Sequence, residues 1–363
     1  MKRNYYLFNA GRLSRKQNTI FFRKYDKVSD DAVVARFEEE VENEPEFTEG
    51  EPEIEYKVSE QKKVLPVEDV DSFYIFGESD FNRKFLNFCG SKGIPIHVFN
   101  YYGFYSGTYY PREFLNSGEL LLRQVRTFDD NELRMEIARA FISGASGNIL
   151  KNLQYYNSRG KDTSRFIAEI SGLRERIKTV KRIDELMGIE GNIRHWYYEA
   201  WPLIIDRTIE FNKRVKHPPD NMINSLISFA NTLVYTTCLS EIYRTQLSPL
   251  ISYLHEPGTK RFSLSLDLAE IFKPLLADRA IFTLLNRKQI TEKHFTTKGK
   301  ICWLNEEGKK IFVRDFDERL ATTLKHRKLG RNVSYRRLIR LECYKLIKHL
   351  LGQEKYSAFQ IWW

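Results

Sequence analysis

Two patterns of hydrophobic and polar residues follow one another along this chain, and the change between them falls near Pro111. Before it, short runs of aromatic and β-branched residues bounded by Gly, Asp or Pro predict strands. These runs are YYLF, TIFFRKY, FYIFG and IPIHVF, and a helix over about Asp80–Cys89 separates the last two. After it, apolar residues recur at helical spacing. The pattern predicts an α+β chain with a β-rich first part and a larger all-α second part.

The aromatic and glycine-rich segment at Gly103–Gly107 marks the boundary between the two parts. A chain of 363 residues exceeds the usual single domain. We therefore predict a β-rich domain over 1–102, a hinge over 103–112 and an all-α domain over 113–363. The uncharged run 222–240 has the length of a membrane span, but lipid would penalise its Asn, Ser and Thr residues. It is predicted to be a core helix.

The charge of the chain is unevenly distributed. The formal net charge is +10, but residues 38–60 contain eleven Glu and one Lys, which leaves about +20 on the remainder. A body this basic favours a polyanionic partner such as nucleic acid. The acidic segment is predicted to be a loop or hairpin tip. The residues leave open whether it is a solubilising insertion or a DNA mimic that shields basic surface.

Cysteine usage and the N-terminus indicate the compartment. The four cysteines are widely spaced and form no CxxC pair, which argues against a disulfide framework or a zinc knuckle. They are predicted to be buried apolar residues in a reducing environment. The basic N-terminus lacks the continuous apolar core of a signal peptide. We expect a cytoplasmic protein without a membrane segment.

Candidate chemistry begins with RFSLSLDLAEIFKPLL, residues 261–276. Its leucines and isoleucine recur at helical spacing and predict one buried stripe. The same helix places Asp267, Glu270 and Lys273 in a row along its flank. Carboxylates spaced in this way usually lie on a solvated helix face. The row therefore indicates a functional site only in combination with residues near it.

Two further residues are candidates to lie near that row. His255 precedes a Pro-Gly turn, which could fold it back toward this row of carboxylates. Gly188 and Gly191 bracket Glu190, where we expect one helix to end and another to begin. A structural histidine and a glutamate stabilised by a helix dipole are the alternative interpretations. The residues alone leave both open.

Glu190, His255 and Glu270, with Asp267 beside them, form a candidate ligand set. One imidazole with carboxylates and no thiolate suits Mg²⁺ or Mn²⁺ with coordination positions left for water and phosphate oxygens. Such an ion polarises a phosphoryl group and orients an attacking oxygen. This is the chemistry that a nuclease or an integrase requires.

A basic segment near the C-terminus is the candidate DNA surface. Residues 325–351 contain nine Lys or Arg against one Glu, and Ser334 is a candidate helix cap. We predict that Arg336, Arg337 and Arg340 contact DNA phosphates. A solvated helix face is the alternative.

At these residues the chain resembles the CRISPR-associated integrase-endonucleases that acquire spacers, the first of the numbered Cas proteins. The GIEG at Glu190, KRVKHPPDNMINSLISFANTLVY at 213–235, LHEPG at His255 and SLSLDLAEIFKP agree with the family in order and spacing. The N-terminal YYLFNAGRLSRKQNTIFF, FGESDFN and IPIHVFNYYGFYSGTYYPRE extend the resemblance over nearly the whole chain.

The resemblance implies an N-terminal β-sandwich that dimerises and a helical domain with a metal site. Glu190, His255 and Glu270 fall on the positions of the family's three metal ligands, although many members have Asp at the last one. Asp267 matches a second acidic position. Lys273 lies where the family usually has a cation.

The resemblance also implies partners and a reaction. Two homodimers would flank a small ferredoxin-like second Cas protein and hold a spacer duplex. The 3′-OH of the incoming DNA would then attack a phosphodiester at the border of a CRISPR repeat. A nuclease acting on branched DNA in repair and a non-catalytic DNA-binding scaffold are the competing hypotheses, since hydrolysis and transesterification differ only in the attacking oxygen.

Overall fold

The computed structural model describes residues 2–17, 19–27, 56–205, 211, 214–215, 218–258 and 262–362. The chain divides into two compact units, Met1–Phe114 and Leu115–Trp363. The first unit is rich in strands and the second in helices, so the α+β fold class is confirmed at this level.

Among its described residues, the first unit contains two four-stranded sheets and one α-helix. Its elements are β1 Arg3–Leu7, β2 Gly11–Lys16, β3 Thr19–Lys27, β4 Tyr56–Pro66, β5 Val70–Ile75, β6 Ser79–Phe81, α1 Arg83–Lys92, β7 Ile96–Phe99 and β8 Tyr105–Tyr109. One sheet has the order β1-β5-β7-β8, in which only β8 is antiparallel to its neighbour. The other has the order β4-β3-β2-β6, in which β6 pairs in parallel with β2.

Both sheets and α1 contribute to one hydrophobic core. Leu13 of β2, Phe73 of β5 and Phe85 of α1 are all fully buried in it. The helix is bounded by local signals: the side chain of Asn82 accepts a hydrogen bond from the backbone N–H of Phe85 at 2.9 Å, and Gly93 ends the helix with φ 63°. These caps fix the face of α1 that packs on the strands.

Two boundaries predicted from the sequence differ from the structure. The predicted hinge at 103–112 contains β8, an edge strand that pairs with β7. A five-residue edge strand with two central small residues, YSGTY, carries too little apolar pattern to predict. Of the acidic segment 38–60, residues 38–55 lie outside the described residues, and the remainder begins β4.

The second unit contains ten helices among its described residues. They are α2 Gly118–Asp129, α3 Asn131–Asn157, α4 Ser164–Arg176, α5 Ile183–Glu199, α6 Trp201–Ile204, α7 Met222–Tyr243, α8 Ser263–Lys273, α9 Arg279–Asn286, α10 Glu306–Ala321 and α11 Tyr335–Leu350. A π-helical turn, Pro274–Asp278, joins α8 to α9.

The prediction of an all-α second part is wrong in one respect. Two short antiparallel hairpins interrupt the helices: β9 Phe295–Lys298 with β10 Ile301–Leu304, and β11 Thr323–Lys325 with β12 Asn332–Ser334. Strands of three or four residues are too short to show a period of two. The first hairpin turns at Gly299, which has φ 57°.

Helix α7 lies in the core, as predicted for its uncharged sequence. Within the described part of the chain it is the one helix long and apolar enough to cross a membrane, and 72% of that apolar window is buried in the protein. Its single charged residue, Glu241, is 1% exposed and accepts a hydrogen bond from Nε of Arg340 at 2.6 Å. The burial of α7 is that of a core helix. The four cysteines are buried as well.

The residues after α11 complete the core around α3 and α8. Phe359 stacks on Phe272 of α8, with ring centroids 6.0 Å apart. The side-chain amide of Asn148 in α3 donates to the carbonyls of Ile271 at 2.9 Å and Phe359 at 3.2 Å, and its oxygen accepts from the backbone N–H of Ile361 at 2.8 Å. One buried amide thus joins α3, α8 and the C-terminal segment.

The close approach of this segment to α3 depends on glycine. A Cβ at Gly144 would lie 2.6 Å from Cβ of Ala358, whereas a Cβ at Gly172 in α4 would meet nothing within 4 Å. We expect Gly144→Ala to destabilise the protein by about 1–3 kcal/mol through overpacking. Gly172→Ala should stabilise it by up to about 1 kcal/mol, because alanine favours the helix. Urea unfolding followed by circular dichroism measures both, and equal effects would contradict this packing.

Candidate active site

Glu190 lies in the middle of a continuous helix. The sequence predicts that one helix ends and another begins at Gly188–Gly191, and this prediction is wrong, because α5 runs unbroken from Ile183 to Glu199. Each glycine costs a helix about 1 kcal/mol, which the residues around it offset. A Cβ at either glycine would meet nothing within 4 Å. The two glycines therefore leave the helix surface on both sides of Glu190 uncovered.

Arg194, one turn after Glu190, connects two of the candidate ligands. Its Nε donates to Oε1 of Glu190 at 3.1 Å, and its Nη2 donates to Oε2 of Glu270 on α8. The Arg194 side chain is only 13% exposed. Ion pairs that are shielded from water in this way are stronger than surface pairs. The guanidinium thus holds the two carboxylates on either side of itself.

Glu270 is a buried carboxylate that the protein keeps ionised. It is 6% exposed, and Nζ of Lys273 donates to its Oε1 while Arg194 binds Oε2. Burial acts to raise the pKa of Glu270, but the positive charges of Lys273, Arg194 and His255 outweigh it and hold the pKa well below its usual range. Both carboxylate oxygens therefore carry negative charge at neutral pH.

His255 is held by Asp267, which is fully buried. The Asp267 carboxylate accepts hydrogen bonds from the backbone N–H groups of Tyr253 at 2.7 Å, Leu254 at 3.0 Å and His255 at 3.0 Å. The same carboxylate is 2.8 Å from Nδ1 of His255. Arg134 fixes the same loop by donating to the carbonyl of Tyr253 at 2.9 Å. The loop thus turns His255 back onto α8.

The contact with Asp267 sets the chemistry of the imidazole. A hydrogen on Nδ1 that faces a carboxylate leaves Nε2 with the lone pair in the neutral ring, which is the usual second-shell arrangement of a metal-binding histidine. Burial acts to lower the pKa of His255, but the hydrogen bond and charge of Asp267, together with the charge of Glu270, raise it above its ordinary value.

Asp278, in the π-helical turn, is a further buried carboxylate in this region. It is 1% exposed, and burial raises its pKa to about 7. Its Oδ2 lies 4.0 Å from Nη1 of Arg194 and has no hydrogen-bond partner. The nearby hydroxyl of Tyr197 acts to lower this pKa, and Asn152 donates to that hydroxyl at 3.0 Å. Asn152 also donates to the carbonyl of Pro274 at 2.8 Å.

The structure brings the predicted residues together in two groups. Arg194 joins Glu190 to Glu270, and Asp267 joins His255 to α8, one turn before Glu270. Within the described residues, no three His, Cys, Asp or Glu side chains form a cluster that could itself hold a metal ion. The donors that point to this region, carboxylate oxygens and one imidazole nitrogen, are nevertheless those that Mg²⁺ or Mn²⁺ prefers.

Sequence reasoning missed Arg194 and Asp278. Arg194 has a recognisable signal, since it lies four residues after Glu190, at the spacing of a helical ion pair. Asp278 is the only charged residue of the turn PLLAD, and such a residue in an apolar run requires a partner when buried. Neither signal predicts which residue on another helix is the partner.

The three arginines predicted to contact DNA lie on α11, and Ser334 caps this helix as predicted. Two of them pair with carboxylates: Arg336 with Asp317 at 3.2 Å, and Arg340 with the buried Glu241. Arg337 is partly exposed and lies 5.9 Å from the ring centroid of Tyr344. Of the three arginines, Arg337 is thus the one whose charge is least neutralised by a carboxylate.

Known proteins are similar to this chain along its whole length. A CRISPR-associated endonuclease Cas1 from Fusobacterium nucleatum is 51% identical over 363 residues, which cover 100% of this chain and 98% of that protein. The structure of a CAS1 protein from Thermotoga maritima has a TM-score of 0.78 at 38% identity and covers 99% of this chain and 100% of its own. These similarities place the chain in the class of CRISPR-associated endonuclease proteins.

A match to a protein-family profile identifies the particular family. The profile described as CRISPR associated protein Cas1 matches residues 47–318, and the chain belongs to this family. A casposase bound to an integration product has a TM-score of 0.81 at 20% identity and covers 98% of this chain and 92% of its own. At that identity the likeness shows a shared fold.

We expect Asp267→Asn to lower the pKa of His255, because the substitution removes the charge that raises it. The raised pKa means that the His255–Asp267 pair stabilises the fold fully below about pH 6.5, the ordinary value, and progressively less as pH rises through the raised value. The variant should lose this dependence. NMR titration of the His255 ring in the presence of a chelator measures the shift, with His349 as an internal control. An unchanged His255 titration would contradict the assignment.

Proposed function

We propose that this protein is a metal-dependent DNA endonuclease and integrase that inserts short foreign DNA duplexes into a CRISPR array. The observation that supports it best is Glu270, a buried carboxylate kept ionised by Arg194 and Lys273 one turn beyond the residue that holds His255. Retaining such charge inside a helical core costs desolvation free energy, and the two cations keep the carboxylate in the deprotonated form that a metal ligand requires. Membership of the Cas1 family agrees with this proposal.

The proposed metal ligands are Glu190, Glu270 and Nε2 of His255. Mg²⁺ or Mn²⁺ at these residues would polarise a phosphoryl group and stabilise charge on the attacking and leaving oxygens. Asp267 fixes the tautomer and direction of the imidazole through Nδ1. Lys273 holds Oε1 of Glu270 and adds positive charge on the side where a phosphate would approach.

The chain's own contribution to the reaction is binding and orientation. Its net charge of +10 favours DNA, and a surface that holds two duplexes raises the local concentration of the donor's 3′-OH at a repeat-border phosphodiester. The reaction exchanges one phosphodiester for another and therefore requires no nucleotide cofactor. The casposase with the same fold is named as bound to an integration product, which agrees with this chemistry.

The proposal includes an assembly. The β-rich unit acts as a dimerising β-sandwich, and two homodimers flank a small ferredoxin-like second Cas protein in the cytoplasm. The complex then holds the spacer duplex and the CRISPR repeat. The support for these partners is family membership, together with the basic charge of the chain.

A strand-transfer assay tests the reaction. The protein, its small partner and Mn²⁺ are mixed with a supercoiled plasmid carrying the repeat and a labelled duplex with free or blocked 3′ ends. We expect label to enter the plasmid only with free ends, and a chelator to prevent it, because the attacking oxygen is the donor's 3′-OH. Equal nicking with both duplexes and no labelled plasmid would instead indicate a hydrolase that uses water.

The same assay tests the ligands. Glu190→Ala, His255→Ala and Glu270→Ala should each reduce strand transfer by more than about a hundredfold, since loss of even an outer-shell partner costs a metal site about 10–100-fold. Circular dichroism confirms that each variant is folded. Activity within a few fold of wild type in all three folded variants would refute the proposed site.

Arg337 tests the DNA surface with least disturbance to the fold, because Arg340 neutralises a buried glutamate. We expect Arg337→Gln to weaken binding to all DNA sequences alike and to reduce the slope of log affinity against log salt by about 0.9, the effect of one phosphate contact. Lys178→Gln, which removes a charge paired with Glu175 on the surface, is the matched control and should leave the slope unchanged. The same slope in both variants would remove Arg337 from the interface.

A further inference from the structure

Arg194 occupies the position that joins the two carboxylates proposed as metal ligands. One guanidinium binds Glu190 through Nε and Glu270 through Nη2. A divalent cation bound by the same carboxylates would compete with it for their oxygens and would repel it. Metal binding and the present position of Arg194 therefore exclude one another, at least at the oxygens that they share.

A second anion lies within reach of the same guanidinium. Oδ2 of Asp278 is 4.0 Å from Nη1 of Arg194, too far for a hydrogen bond, and has no other hydrogen-bond partner although it is buried. A buried carboxylate oxygen without a donor is rare in native proteins and calls for an explanation. Here the cation that lies 4.0 Å away, Arg194, already binds Glu190 and Glu270.

Asp278 is held firmly in this place. Asn152 donates to the carbonyl of Pro274, the first residue of the turn that carries Asp278, at 2.8 Å, and Nε of Arg279, the residue after Asp278, donates to Oδ1 of Asn152 at 2.7 Å. The π-helical turn that carries Asp278 is a departure from α geometry of the kind found at functional sites. Arg194 is the longer and more adaptable partner, so a change of contact falls on Arg194.

We propose that Arg194 is a displaceable counter-ion of the metal site and that Asp278 receives it when a divalent cation takes Glu190 and Glu270. The proposal rests on the metal site of the proposed function. Glu190 and Glu270 then have a cation beside them before and after the exchange, and Asp278 gains one: Arg194 moves from Glu190 and Glu270 to Asp278 as the metal arrives. Asp278 acts through Arg194 and is a positioning residue.

Mn²⁺ binding to the purified full-length protein, measured by the electron paramagnetic resonance of free Mn²⁺, tests the exchange without an activity assay. Arg194→Gln should bind Mn²⁺ more tightly, by about tenfold, because a competing cation is lost. Asp278→Asn should bind it about tenfold more weakly, because the displaced guanidinium has no anion to receive it. In the double variant the effect of Asp278→Asn should disappear.

The double-variant cycle separates this role from a structural one. Asp315→Asn, which removes another aspartate paired with an arginine, on α10, is the matched control and should leave Mn²⁺ affinity unchanged. Weaker Mn²⁺ binding by Arg194→Gln would overturn the proposal, because that result is expected if Arg194 only positions the carboxylates for the metal. This single variant decides the question even if Asp278→Asn does not fold. An Asp278→Asn effect that persists without Arg194 would overturn it as well.

Failure of the metal site itself is a distinct result. If Glu190→Ala and His255→Ala bind Mn²⁺ as the wild type does, the proposed ligands are wrong and the exchange falls with them. If those variants lose Mn²⁺ binding while Arg194→Gln and Asp278→Asn leave it unchanged, the metal site stands and only the exchange is refuted.

Discussion

The helical unit depends on the neutralisation of carboxylates that lie inside its core. An ionised carboxylate removed from water is tolerated only with cations or N–H groups around it. Five acids are the most buried among the described residues of the unit: Glu241, Asp267, Glu270, Asp278 and Glu342. All but Asp278 meet this condition through partners on other elements or in loops, whereas Asp278 has Arg194 only at 4.0 Å and burial raises its pKa. Glu241 and Glu342 fasten α11 and the C-terminal segment to the core. The other three surround Arg194 and His255, so one constraint both closes the fold and builds the candidate site.

Much of the fold follows from the sequence because long periodic segments determine their own structure. The strands β1, β3, β5 and β7 and the buried helix α7 were predictable from apolar runs and their length. The edge strand β8 and the two hairpins were not, since strands of three to five residues are selected by tertiary pairing rather than by their own pattern. The unbroken helix through Gly188 and Gly191 shows the reverse case, in which helical neighbours override two unfavourable residues.

The candidate site was predictable as residue types and only partly as geometry. The turn after His255 does bring this residue to Asp267, and the α8 spacing does align Asp267 with Glu270. The burial of these carboxylates was not expected from a helix flank, because it results from α3 and α7 packing against α8. Arg194 and Asp278 were missed for the same reason. Each makes its contact with a residue on another helix, and spacing along one helix does not predict such a contact.

The π-helical turn between α8 and α9 also constrains how this chain can change in length. A π turn holds one residue more than an α turn. Deletion of a single residue within Pro274–Asp278 would restore regular α geometry, but it would change the direction of the side chains that the turn itself carries. Asp278 would then leave Arg194. Point substitutions at solvent-facing positions nearby are a milder change, so across related sequences this stretch should vary in identity far more readily than in residue count.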